Sequence, residues 1–407
     1  MVVDVPVTCM VTIHGIGFQQ PPFGGMPGYA DDLHARLSQH LGAMLSDDPE
    51  RSRSQRGENG PIYVQSCWPP ATDHIEQGLA RLGEWRGDDK RRIDTSRAPL
   101  GDGQGRIAHV ALVYSRLEGQ GPETGSALIT GSMVAFSLAH YTHISGLLHM
   151  LFYDTQSILE HTMPSGAMPA PGLHIRSDPG FMPNTHSAGN RRPGGPLSIL
   201  TELENDVAAY ICRDELRERI RSFVLDALLR LACRDDVSGI FINAHSNGTI
   251  VAFDVLRRLP PFALAKIQAF VTAGSPLRKY VDLFRWGRHI ENTINIKAWQ
   301  NFWDPADPVA DPLAPPANWR RGDPWQANSA LSAQTLFQFI NSTTGATANI
   351  AVIDNEVDNV KYSHDGGLPA HNYWDNDLQF VRPLAETLRQ AATVSAPRTK
   401  KANDQVR

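Results

Sequence analysis

The chain has 407 residues, with 38 Lys+Arg against 43 Asp+Glu and a formal net charge of −5, so no field of one sign exists to hold nucleic acid by bulk electrostatics. The apolar set makes up 41% of the residues, an ordinary globular share that excludes a disordered chain and supports a sizeable core. The length suits two or three domains, or one large α/β domain carrying insertions.

In chain order, Val7 to Ile13 is apolar and rich in β-branched residues, and ends in His14-Gly15, so it reads as a buried strand entering a tight turn. Gln19 to Gly28 is too rich in Pro and Gly for regular structure. Tyr29 to Leu45 places Leu33, Leu37, Leu41 and Leu45 at helical spacing. Two short strands are expected at Ile62 to Trp68 and Ala108 to Tyr114, separated by a mixed-charge helical stretch from Asp73 to about Asp89 and the Gly-rich loop Gly101 to Gly105.

Ala127 to Tyr153 carries no formally charged residue and is about long enough to span a bilayer. It also holds His140, His143 and His149 among several Ser, Thr and Gly, which are costly in lipid without partners. It therefore reads first as a buried or cap helix pair, second as a peripheral membrane-surface contact, and last as a span. No Cys or carboxylate is spaced with these histidines, so they are read as pocket lining or core groups and not as metal ligands. Pro164 to Pro196 has 13 Pro or Gly in 33 residues, which suits a long surface loop or flap.

Helical periodicity resumes from Leu203 to Ala232 with charges on one face. Then come a strand at Gly239 to Ala244, a helix at Gly248 to Leu259, strands at Ile267 to Ala273, Ile294 to Phe302 and Ile350 to Glu356, and a helix at Trp374 to Ala392. This alternation implies an α/β fold with a mostly parallel central sheet flanked by helices. A polar, basic tail, 397–407, is expected to fray.

Gly239 to Leu256 is the most informative stretch: an apolar strand runs through Ala244-His245-Ser246-Asn247-Gly248 directly into a helix, the context of a nucleophile elbow. A serine on so sharp a turn needs small residues two before and two after it, which Ala244 and Gly248 supply. The turn brings the Asn247 N–H to a helix N-terminus, where an oxyanion is favoured, and Ile16 in His14-Gly15-Ile16-Gly17 offers a second backbone donor. The plain alternative is that Ser246 only caps the helix. A nucleophilic serine needs a base and an orienting carboxylate. Asp304, Asp307 and Asp311 follow a strand, with Asp307 preferred as the acid, Asp304 next, and Asp311 before Pro312 a turn former. His371 before the terminal helix is preferred over His364 as the base.

With HGIG at 14–17, AHSNG at 244–248, TAGSP at 272–276, DPADPVADP at 304–312 and HNYW at 371–374, the chain resembles an α/β-hydrolase of the serine esterase and lipase type, similar to families of the GPI-inositol deacylase type. The resemblance covers roughly residues 7 to 70 and 203 to 392. It implies an α/β-hydrolase fold, with Ser246 as nucleophile, Asp307 as acid, His371 as base, and the backbones of Ile16 and Asn247 as oxyanion hole. Ala244 stands where the elbow's first glycine is usual, and residues 73 to 200 match nothing in that pattern. The expected architecture is one hydrolase domain over 1–396 with a cap or flap insertion at about 73–200.

The expected activity is hydrolysis of carboxylic esters through an acyl-enzyme, with no metal or organic cofactor. The apolar insertion favours lipid or long-acyl esters as substrate over small esters or thioesters. Acyl transfer on the same triad and a catalytically silent binding module are the alternatives. The four widely spaced cysteines, Cys9, Cys67, Cys212 and Cys233, read as free thiols. They agree with the absence of a signal-peptide pattern before Val7 in favouring a cytoplasmic protein, membrane-associated if 127–153 meets a lipid surface.

Overall fold

The computed structural model describes residues 6–15, 21–22, 27–53, 58–66, 72–87, 89–101, 105–114, 210, 214–278, 296, 298–307, 309–314, 338–340, 347–349, 351–363 and 369–394. The expectations for Ile16, Gly17, Cys67, Cys212, the segment 127–153 with its histidines, the loop 164–196, His364 and the tail 397–407 lie outside them.

Strand β1, Val7–Ile13, leads to helix α1, Asp31–Leu41, then β2, Leu45–Ser46, α2, Pro49–Ser52, and β3, Ile62–Gln65. Helix α3, Thr72–Leu79, precedes a hairpin of β4, Glu84–Arg86, and β5, Asp89–Asp94, and strand β6 is Ile107–Val113. Next come α4, Asp214–Ala232, β7, Val237–His245, α5, Gly248–Leu256, α6, Pro261–Leu264, and β8, Ile267–Ala273. Strands β9, Trp299–Trp303, β10, Gln338–Ile340, β11, Thr347–Asn349, and β12, Val352–Glu356, are followed by helix α7, Arg382–Val394.

Eight strands form one sheet in the order β12-β9-β8-β7-β1-β6-β2, with β3 also on β6, and every pairing in it is parallel. A parallel sheet must be covered on both faces, which is why its strands are almost continuously apolar. Residues alternate faces accordingly. Val11, Ile240 and Ile242 pack with Phe223, Val224 and Leu228 of α4 and Val251 of α5, whereas Met10, Phe241 and Val271 pack with Leu33 and Leu37 of α1 and Leu384 and Leu388 of α7. Each such fully buried side chain contributes about 2 kcal/mol, enough for the helices' apolar stripes to dictate which side of the sheet they occupy.

The sheet is the parallel α/β core the alternation implies, with helices on both faces. Its parallel sense has a direct consequence for chemistry: β1, β7, β8, β9 and β12 all deliver their carboxyl ends to one edge, the place where α/β sheets bind ligands.

Three elements depart from the expected pattern. The helix expected from Asp73 to about Asp89 stops early and becomes the β4–β5 hairpin, because two buried arginines of and beside α4 take the turn's carbonyls. Arg230 Nη1 donates to Gly83 O at 2.8 Å and Arg234 Nη1 to Leu82 O at 2.9 Å, and Trp85 stacks under the Arg230 guanidinium. The helix expected from Tyr29 to Leu45 ends at Leu41, and Leu45 instead pairs as a strand with Ile107. The terminal helix is preceded by a 3-10 turn, Tyr373–Asp375, and a wide π turn, Asp377–Val381. Pro383 has no N–H to give Gln379 O, and the Asn376 side chain accepts from Gln379 N at 2.9 Å.

Candidate active site

Strand β7 runs directly into α5, and the residue at the turn, Ser246, has φ +55, the one non-glycine positive φ among the described residues. An L-residue costs about 1–2 kcal/mol there, so the surroundings must hold it. Its N–H donates to Ala273 O at 2.9 Å, and its carbonyl accepts from Thr249 N at 3.0 Å and Thr249 Oγ1 at 2.7 Å. Gly248 is required by close approach: a Cβ there would stand 2.3 Å from Ile13 O and 2.6 Å from His14 O. Gly15, at the end of β1, lies against the serine, since a Cβ on it would be 3.3 Å from Ser246 Oγ and 3.4 Å from the Asn247 nitrogen.

The capping alternative for Ser246 does not hold. Asn247 is the N-cap of α5 and makes no side-chain cap bond, while the Ser246 hydroxyl is buried without a hydrogen-bond partner. A buried polar atom left open costs about 1–3 kcal/mol, and such atoms concentrate where ligands bind. His371 Nε2 is a second one. The two atoms therefore do not bond each other in this state, although both belong to the same sheet edge.

His371 sits in a 3-10 turn, Pro369–His371, after β12. Its Nδ1 lies 2.8 Å from Asp307 Oδ2, with the carboxylate closed off from solvent and the imidazole 10% exposed. Asp307 Oδ1 accepts from Val309 N at 2.9 Å, and Oδ2 also accepts from the Tyr373 hydroxyl at 3.0 Å. That hydroxyl in turn accepts from Asp304 N at 3.0 Å. Burial pushes the Tyr373 phenol well above its ordinary range, with both aspartates adding to the effect, so it serves as a neutral donor.

Asp304 has different work. Its oxygens accept from Ala306 N at 2.8 Å and Asn359 N at 2.6 Å. Burial outweighs those bonds and lifts its pKa from 3.8 to about 6. Asp311 is buried and its N–H donates to Ser275 O at 3.3 Å. The loop carrying these residues is tied to the sheet by Asn301, whose Nδ2 donates to Asp311 O at 3.2 Å and to Asp354 Oδ1 at 2.8 Å. Asp354 then accepts from Leu313 N at 2.9 Å and Ala314 N at 2.6 Å.

Of the residues singled out from sequence, the structure brings Gly15, Ser246, Asn247, Gly248, Asp307 and His371 to one edge. Ala244 is fully buried in β7, and His14 stands at the end of β1. Sequence reasoning missed four others. His245 is wedged between the rings of His14 and His371, at centroid distances of 4.9 and 4.6 Å. Gly274 has φ +60 and leaves room for the His371 imidazole. Tyr373 supports the carboxylate, and Asn359 Nδ2 donates to Ala370 O at 2.7 Å, fixing the turn before His371. The TAGSP and HNYW segments were the available signals for Gly274 and Tyr373; Asn359 has none.

Among the described residues no group of three potential metal ligands occurs, and no helix is long and apolar enough to cross a membrane. Cys9 is a buried free thiol. No protein-family model, curated protein or solved structure significantly matches the chain.

Proposed function

We propose that the chain is a serine hydrolase of the α/β-hydrolase type that cleaves carboxylic esters through an acyl-enzyme. The observation that carries this reading is the strained Ser246 at the strand-to-helix turn, its hydroxyl buried and unbonded on the edge where the His371–Asp307 pair also lies. Strain at a non-glycine residue is kept only where the surroundings enforce it, and it concentrates at functional positions.

In this mechanism Ser246 Oγ attacks the ester carbonyl while His371 Nε2 takes its proton. Asp307, bound to Nδ1, fixes the tautomer that leaves Nε2 open and stabilises the imidazolium. The Asn247 N–H, beside Gly15 at the start of α5, and that of Ile16 stabilise the oxyanion. The protonated His371 then releases the alcohol, and water activated by the same imidazole frees the acid. Lipid or long-acyl esters are the favoured substrates on the strength of the uncharged segment 127–153 in the sequence.

A fluorophosphonate probe tests this reading: it labels the wild type and not Ser246→Ala. On a chain-length series of p-nitrophenyl esters, Asp307→Asn lowers kcat by about 10³- to 10⁴-fold, because the amide favours the wrong tautomer of the base, while Asp304→Asn costs far less. A Ser246→Ala protein with full activity, or a wild type inert to both probe and esters, sinks the proposal.

A further inference from the structure

His371 is held at two points. Its ring is bound by Asp307, as above. Its backbone carbonyl accepts from His245 Nε2 at 3.0 Å, and the two rings lie 4.6 Å apart. His245 is the residue immediately before Ser246, so one dipeptide carries the serine and grips the backbone of the imidazole's own residue. The covalent link between them leaves little freedom in the distance from nucleophile to base.

The hydrogen assignment follows from the partners. A carbonyl oxygen only accepts, so His245 Nε2 carries the proton. Burial, with the His371 and His14 rings beside it, holds the pKa of His245 well below the usual histidine range, so the ring is neutral. Its Nδ1 is then a lone pair, and the atom facing it is His14 Nε2 at 3.3 Å. His14 Nδ1 itself lies 3.2 Å from the Gly15 carbonyl, so it is the His371 carbonyl that selects the His245 tautomer with Nε2–H pointing at it. The Trp374 ring closes the cluster, 5.2 Å from His14 and 5.6 Å from His245.

We propose that His245 is a positioning residue for His371, acting through its Nε2–H on the His371 carbonyl; this rests on the reading of His371 as the base. A purely space-filling histidine would need the ring and not the N–H. The two roles separate cleanly by substitution. Gln places an amide N–H near the position of Nε2 without the ring, and Phe keeps a ring of similar size without the N–H.

The experiment compares wild type, His245→Gln and His245→Phe in two measurements: kcat and KM on a p-nitrophenyl ester, and the low-field proton resonance of the His371–Asp307 hydrogen bond. A misplaced catalytic group costs up to about 100-fold. His245→Phe is therefore expected to lose about 10- to 100-fold in kcat at little-changed KM, and to broaden or shift the resonance. His245→Gln is expected to stay within about threefold in kcat on the same scale and to keep the resonance. Equal losses in both variants, or a Phe variant with wild-type kcat and resonance, overturn the proposal. If the wild type hydrolyses no ester, the reading of the site has failed. The resonance still decides whether His245 positions the imidazole, because that hydrogen bond exists with or without turnover.

Discussion

Gly274→Ala probes the space between β8 and the imidazole. The glycine follows β8 with φ +60, where an alanine costs about 1–2 kcal/mol for its Cβ alone. The added carbon would stand 2.7 Å from His371 Cε1, 3.0 Å from its Nδ1 and 3.0 Å from Tyr373 Cε2. Ordinary contact begins near 3.4 Å, so the ring must retreat by about 0.7 Å, and overpacking of this kind costs about 1–3 kcal/mol. The total loss of stability is about 2–5 kcal/mol. The ring cannot retreat without disturbing the 2.8 Å bond from Nδ1 to Asp307, and a displacement of this size lowers kcat by about 10- to 100-fold. Urea unfolding gives the first quantity and ester hydrolysis the second. A variant that unfolds with the wild-type midpoint and turns over at the wild-type rate would refute the placement of His371 against Gly274.

Tyr373→Phe removes a hydroxyl that serves both Asp304 N and Asp307 Oδ2. The variant leaves a buried backbone donor unpaired and is expected to lose about 2–4 kcal/mol in denaturant unfolding, while kcat falls less than for Asp307→Asn; the opposite order would contradict the assignment. Asp304 supplies a pH test. Its folded pKa of about 6 exceeds the ordinary 3.8, so the folded state binds more protons between about pH 4 and pH 6 and this group's contribution to stability falls as pH rises through that window. The gap is worth about 3 kcal/mol. Asp304→Asn removes the titration, so its stability relative to wild type should climb by up to that amount across the window, measured by urea unfolding at each pH; a flat difference rules the buried, ionising Asp304 out.

The sheet was legible because its strands are continuous apolar runs: Val7–Ile13 and Ile267–Ala273 have the bounds read from sequence. The strand-to-helix turn was legible for a steric reason, as a Cβ at 248 would stand 2.3 Å from Ile13 O. What was not legible arises between segments. Nothing near residue 83 announces that Arg230 and Arg234 will capture the carbonyls of Leu82 and Gly83 from about 150 positions away. Asp307, preferred over Asp304 from the sequence, does pair with His371; the anchoring of its loop through Asn301 and Asp354 is what no spacing rule encodes. The buried chain from Asp47 through His34 and His109 to Thr12 was likewise hidden, because two histidines 75 positions apart meet at 3.1 Å only once β6 lies beside α1.

The place of β1 in the sheet governs the order in which this molecule can be assembled. Thr8 is paired with Ile107 on one side and Gly239 on the other. As the chain emerges from the ribosome, β1 can dock on β6 once Ile107–Val113 is out, well before β7 is made. Its second edge, carrying Val7 to Ile13 with their backbone groups unbonded, waits until β7 arrives. A long-separated parallel partner closes slowly and leaves an open apolar edge meanwhile. Strand β7, which leads into Ser246, is therefore the piece that seals this edge.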